Sequence, residues 1–183
     1  MFVKRFHLGH VAAVSLAAAA IAAALMLISK PIRGADDSAS LDLSGTVTAQ
    51  VDVTITAAGA AGTLNLSQLH AETGLKVADV TERSNVPAGY TVVVESANRA
   101  AGGRCAGAGP CLYNTAATTE VPFTLLKGAV SQAFTGSTTT WSDTTAVQLA
   151  DLASVANIAY TIGATVLPQG TYTETLTFTI TSK

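Results

Sequence analysis

The sequence predicts an antiparallel β-sandwich, and two observations carry that expectation. Apolar residues recur at every second position along much of the chain, which is the alternation of half-buried strands. Short groups rich in Asn, Pro and Gly separate these runs and suit tight reversals. No period of roughly 20–50 residues marks a repeat architecture. The chain has 183 residues, of which 12% are charged and 5% aromatic. That length suits one domain or at most two small ones. So low a charged fraction argues against a disordered, coiled-coil or nucleic-acid-binding chain.

The elements follow in order. Leu41, Leu43, Val47, Ala49, Val51, Val53 and Ile55 share one parity, and Asp42, Ser44, Thr46, Thr48, Gln50, Asp52 and Thr54 share the other. Drawn out as strand, residues 41–55 would span roughly 50 Å at about 3.3 Å per residue, two to three times an ordinary strand. Gly45 interrupts the run. Either one strand bends there and switches sheets, or two functional segments lie end to end. Residues 75–82 (LKVADVTE) and 90–96 (YTVVVES) read as strands around the turn 84–89 (SNVPAG). Residues 121–126 form a short strand, and 135–145 (TGSTTTWSDTT) a polar loop or exposed edge. Residues 147–155 (VQLADLASV) read as a short helix, because Val147, Ala150, Leu152 and Val155 roughly share a face. Residues 158–166 and 172–180 are two further strands around the turn Leu167-Pro168-Gln169-Gly170. The last points Tyr172, Leu176, Phe178 and Ile180 inward and threonines outward, where a branched carbon fits the pleat.

Residues 1–35 read as an export signal. Lys4 and Arg5 precede an uninterrupted apolar run over 11–28, and Pro31 and Gly34 follow as helix breakers. Cleavage is expected after Gly34 or Ala35, with a retained N-terminal anchor as the alternative. Either way the body is delivered outside the cytoplasm and meets the membrane only during export or through that leader. Cys105 and Cys111 enclose Ala-Gly-Ala-Gly-Pro, a flexible turn, and an even pair in an exported chain is most simply a disulfide. The spacing, with no histidine nearby, matches neither a zinc knuckle nor a C-x-x-C redox motif. The expected organisation is a leader at 1–35, an extension at 36–50 and a sandwich at 51–183.

Beyond the leader, six Lys and Arg face twelve Asp and Glu, a net charge of −6. Such a surface repels phosphate backbones and offers no basic stripe, which excludes nucleic acid as a partner. The chemistry is sparse. His70 is the single histidine after the leader, and no G-x-S-x-G elbow or other nucleophile context accompanies it; it reads as a surface histidine on a turn. Asp79, Glu82, Glu95, Glu120, Asp143, Asp151 and Glu174 are scattered, and period-two placement makes most of them solvent-facing strand residues. They form neither an Asp-x-Asp-x-Asp calcium loop nor a clear glycosidase pair. No catalytic residue, cofactor or metal is expected. Trp141, the lone tryptophan among threonines, either stacks on a sugar ring as an exposed ligand contact or covers one end of the core.

The extension carries the functional reading. An incomplete sandwich leaves a groove and an unpaired strand edge, an aggregation hazard unless another strand covers it. A neighbouring subunit supplies such a strand by β-augmentation, using alternating apolar side chains with a small residue where the groove is shallow. Leu41, Leu43, Gly45, Val47, Ala49 and Val51 have that form. A long first strand within a complete sandwich accounts for the same pattern.

Two blocks add a resemblance. Residues 77–85 (VADVTERSN), followed by Gly89-Tyr90-Thr91-Val92 and Ser96-Ala97-Asn98, resemble exported bacterial proteins of the spore coat U-like and archaic chaperone–usher pilin group. The ending 168–180 (PQGTYTETLTFTI) is similar to that group's C-terminal P-x-G-x-Y-x-[DE]-x-[apolar] strand. The resemblance implies an immunoglobulin-like sandwich lacking its last strand. It implies a periplasmic chaperone bound at the final strand (Tyr172, Leu176, Phe178, Ile180) and an outer-membrane usher that exports the subunit. The partners would be copies of this chain or related subunits, joined by donated strands into a pilus-like surface fibre that serves cell adhesion. The chain departs from the group in having no cysteine near the first strand. The alternative is a self-contained secreted binding module for a glycan or a protein.

Overall fold

Strands form where apolar residues alternate and a neighbour offers a hydrogen-bonding ladder. A computed structural model describes residues 40–102 and 104–183. Among them the strands are β1 (Val51–Ala57), β2 (Ala71–Ser84), β3 (Tyr90–Ser96), β4 (Cys111–Asn114), β5 (Thr119–Lys127), β6 (Val130–Ser131), β7 (Thr138–Thr144), β8 (Gln148–Thr161) and β9 (Leu176–Ser182). A 3-10 turn, Gly59–Gly62, follows β1, and a four-residue helix, α1 (Ala97–Ala100), follows β3. One sheet has the order β1-β2-β8-β5-β4, with β6 on β5, and the other has the order β7-β3-β9. All pairings are antiparallel. The core between the sheets holds Val80, Tyr90, Val92, Val94, Phe123, Leu125, Trp141, Ile158 and Tyr160. The chain is an all-β, immunoglobulin-like antiparallel sandwich.

Several elements differ from expectation for local physical reasons. Residues 40–50 have no regular secondary structure and are exposed, so the alternation over 41–55 is not one continuous strand. The ladder starts at Val51 because its partner β2 ends at Ser84, opposite it, where the chain turns. Residues 147–155 are not a helix; from Gln148 they form the first half of β8, with Gln148 opposite Ser84 and Leu152 opposite Glu82. Nine residues are too few for a stable isolated helix, whereas the exposed edge of β2 supplies partners at once. The polar stretch 135–145, by contrast, contains β7, an edge strand of the smaller sheet, as the exposed-edge reading has it. The final strand begins at Leu176, and Tyr172 precedes it.

The turn 84–89 reverses the chain from one sheet to the other. Gly89 has φ of +87°, and a Cβ there would lie 2.1 Å from the Thr144 carbonyl oxygen, so only glycine fits. Cys105 and Cys111 form a disulfide that ties a loop to the start of β4. Closing so short a loop is worth about 2 kcal/mol in the chain-entropy model. A disulfide accords with an oxidising compartment. The leader at 1–35 lies outside the described residues, and among the described residues no helix is long and apolar enough to cross a membrane.

Glu82 is fully buried between the sheets, contrary to its reading as a solvent-facing strand residue. Its carboxylate accepts from Tyr90 Oη at 3.0 Å and Ser142 Oγ at 2.7 Å, with Lys127 Nζ 3.6 Å away. Lys127 also donates to the Trp141 carbonyl at 3.0 Å. This network joins β2, β3, β5 and β7, and so links the two sheets through polar bonds as well as apolar packing. Burial, and then the Glu82 carboxylate, push the Tyr90 phenol up to about 12.

Two outcomes follow from this network. Glu82→Ala takes the acceptor from Tyr90 and Ser142 and the counter-charge from Lys127, and should cost about 3–5 kcal/mol, read from denaturant unfolding. For Tyr90, the folded phenol titrates above the unfolded one. Its contribution is therefore fully present below the unfolded value near 10 and is lost as pH rises through about 12. Stability of the wild type should fall more steeply across that window than stability of Tyr90→Phe.

Candidate functional site

Inward positions of a sandwich are normally covered by the opposite sheet. In β3, the central strand of the smaller sheet, Tyr90, Val92 and Val94 are fully buried. In β9, beside it, Leu176, Phe178 and Ile180 point to the same interior but are only half-buried. Across the interior, β1 shows the same shortfall: Val51 and Val53 are half-buried and Ile55 is 42% exposed. Both are outer strands of their sheets, and among the described residues β9 pairs with β3 alone. Its other edge carries unpaired main-chain groups.

Between these strands lies an open, mainly apolar cavity of about 340 Å³. Ile55 of β1, Val77 of β2, Phe123 of β5, Ile158 of β8, and Leu176 and Phe178 of β9 line it. The seam therefore combines an unpaired strand edge with a row of apolar side chains from both sheets. Its chemistry suits an added strand with alternating apolar side chains, which would satisfy the main-chain groups and fill the row together. Glu174 and Thr175 supply its polar rim at the start of β9.

The approach to β9 is held by one carboxylate. Glu174 accepts from Ser96 Oγ at 2.6 Å, from the Asn98 backbone N–H at 3.1 Å and from the Thr175 N–H at 2.8 Å. Thr173 exchanges two backbone hydrogen bonds with Tyr113 of β4, at 3.0 and 3.1 Å. The Asn98 amide donates to the carbonyls of Cys111 and Thr173. Tyr172 donates its hydroxyl to the Pro168 carbonyl at 3.1 Å. The segment thus binds the edge of the larger sheet and then the end of β3 before β9 begins. Gly170 must be glycine there, since its φ is +146° and a Cβ would lie 2.4 Å from Asn114 Nδ2.

The residues singled out from the sequence fall into separate places. Leu41, Leu43 and Val47 are 81%, 85% and 84% exposed, and Gly45 and Ala49 are exposed as well. Val51 belongs to β1 at the seam. Tyr172, Leu176, Phe178 and Ile180 all pack against the core from its edge.

Trp141 corrects the sugar-contact reading: it is 3% exposed, so neither ring face is open to a ligand. Phe178 meets its ring edge-on with centroids 5.2 Å apart, Lys127 Nζ stands 5.4 Å from its centroid, and its N–H donates to Ser154. It covers the core instead. His70 sits ahead of β2 with Glu72 at 2.9 Å and Asn65 at 3.2 Å. Glu120 lies near Cys105 and Cys111, but their sulfurs are bonded to each other and the carboxylate accepts from the Ala106 N–H at 2.8 Å.

Sequence reasoning missed Glu174, Asn98 and Asn85 as structural partners. Glu174 shares parity with Tyr172 and Leu176, and that signal places it inward. No family model and no curated protein matches the chain.

Glu174→Ala removes one acceptor group from three donors at once. It should lower stability by about 2 kcal/mol, and amide exchange should rise at the start of β9 more than in β8.

Proposed function

We propose that this protein is a structural subunit of an extracellular fibre, assembled by strand donation between copies. The extension of one copy, residues 41–49, lies along the open edge of β9 in the next. Leu41, Leu43, Val47 and Ala49 enter the apolar seam, and Gly45 passes where the groove is shallow. One observation supports this reading above the others: the seam beside β9 lacks a strand, while the chain carries an exposed alternating segment that makes no strand of its own.

Lengths agree. Nine extended residues span about 30 Å and the seven of β9 about 23 Å. Burying the larger side chains contributes roughly 1.5–3 kcal/mol each, and added ladder bonds make dissociation slow. The resemblance of the 168–180 segment to chaperone–usher pilins supports the same assembly. In that reading a periplasmic chaperone covers the β9 edge before assembly, and an outer-membrane usher passes the subunit to the cell surface. The competing reading, a self-contained binding module, loses its main ligand contact with the burial of Trp141.

The exported protein, run unheated on a denaturing gel, should give a ladder that collapses on boiling. Deleting 36–50 should abolish the ladder. A deletion variant that still forms the same ladder contradicts the proposal.

A further inference from the structure

The seam could be filled by the extension of the same copy or of another, and Asn85 bears on that choice. Asn85 lies in the turn between β2 and β3, one position past Ser84, the residue opposite Val51. Its backbone N–H donates to the Gln50 carbonyl at 3.0 Å. Its side-chain oxygen accepts from the Gln50 N–H at 2.6 Å, and its side-chain N–H₂ donates to the Thr48 carbonyl at 2.8 Å. A carboxamide carries both a donor and an acceptor, so it imitates a peptide group. Asn85 therefore continues the β1–β2 ladder past its last strand pair and holds Thr48 and Gln50 in line with β1. The turn that presents it is itself braced, by Val86 N–H on Ser84 Oγ at 3.1 Å and Gly89 N–H on the Val86 carbonyl at 3.0 Å.

Self-filling requires a reversal. The cavity is lined by Ile55 and Ala57, toward the far end of β1 from Gln50. A chain that fills it in the same copy has to turn back just ahead of Val51. Asn85 removes Thr48 and Gln50 from that turn, and Val47-Thr48-Ala49-Gln50 contains none of the Gly, Pro, Asn or Asp residues that favour reversal. A turn displaced to residues 44–47 leaves only Leu43 and Leu41 of the ladder beyond it. Residues 36–43 would be long enough to run along β9, at about 26 Å, but Leu41 and Leu43 alone leave most of the apolar row unfilled.

We infer that Asn85 is a positioning residue that commits the extension to a second copy by blocking its return into its own groove. The inference rests on the strand-donation reading.

The test uses the exported full chain as wild type, as Asn85→Ala, and as the double variant Thr48→Gly, Gln50→Gly, which frees the clamped segment to reverse and leaves the apolar ladder untouched. Three readouts are taken at matched concentration: melting temperature, monomer-to-oligomer ratio, and amide exchange over 41–47 in the monomer fraction. Loss of the two side-chain bonds should raise the monomer-to-oligomer ratio about tenfold while the melting temperature stays near the wild-type value. The monomers should show slowed exchange over 41–47. The double variant should shift the same way. An unchanged ratio in both variants, or monomers whose 41–47 amides exchange freely, overturns the role of Asn85 and leaves donation standing. A wild-type chain that is monomeric at every concentration and indifferent to deletion of 36–50 overturns the donation reading, and the inference with it.

Discussion

Two sheets of unequal width cannot bury each other's inward faces completely, and most of the features of this protein follow from that constraint. The larger sheet runs β1-β2-β8-β5-β4 with β6 at its side, and only β7, β3 and β9 lie opposite. Cover is complete over β3, where Tyr90, Val92 and Val94 are fully buried. It thins toward β1 and β9, where Ile55, Ala57, Leu176 and Phe178 surround a cavity with an open side. Apolar surface left in water there carries a cost of roughly 25 cal/mol per Å², and the unpaired edge of β9 is a template for another strand. Both terms favour the same remedy.

The sandwich nevertheless has a defined interior, and carboxylates fasten β3 to its neighbours at both ends. At the first end, Glu82 takes Tyr90 Oη, Ser142 Oγ and the nearby Lys127, joining the sheets across the core. At the other end, Glu174 takes Ser96 Oγ, the Asn98 N–H in α1 and the Thr175 N–H just ahead of β9. Buried polar networks of this kind add little net stability compared with apolar packing, but they penalise every register except the one that satisfies them. That matters in a fold whose seam is open. A slipped β3 or β9 would strand a charge.

Much of this was legible in the residues. Strand β3 has the bounds its alternation announces, and the turn 84–89 and the Cys105–Cys111 bridge follow from Asn, Pro, Gly and Cys in their places. The extent of β8 was not legible, because Val147, Ala150, Leu152 and Val155 follow helical spacing while Val147, Leu149, Ala153 and Val155 share one strand parity, and the deciding partner, β2, lies far away in sequence. Glu82 and Glu174 share parity with Val80 and Leu176, so their inward direction was visible, but charge suggested solvent. Only the tertiary structure shows the donors that make this placement tolerable, Tyr90 and Ser142 for Glu82, and Ser96 and Asn98 for Glu174. Trp141 was ambiguous for the converse reason: its threonine neighbours suggest exposure, yet β7 turns the indole onto Phe178. Asn85 read simply as a turn residue, since its bonds to Thr48 and Gln50 span 35 or more positions.

The central claim is that the edge of β9 is open in one copy and occupied by another copy's extension after assembly. Hydrogen exchange along Leu176–Ser182, measured on dilute monomer and on the assembled material, tests it most directly. The account predicts that the β9 amides facing away from β3 exchange freely in the monomer and become strongly protected on assembly, with the amides paired to β3 protected in both. Equal protection of the outward amides in the two states would contradict it, because the edge would then be closed within a single chain.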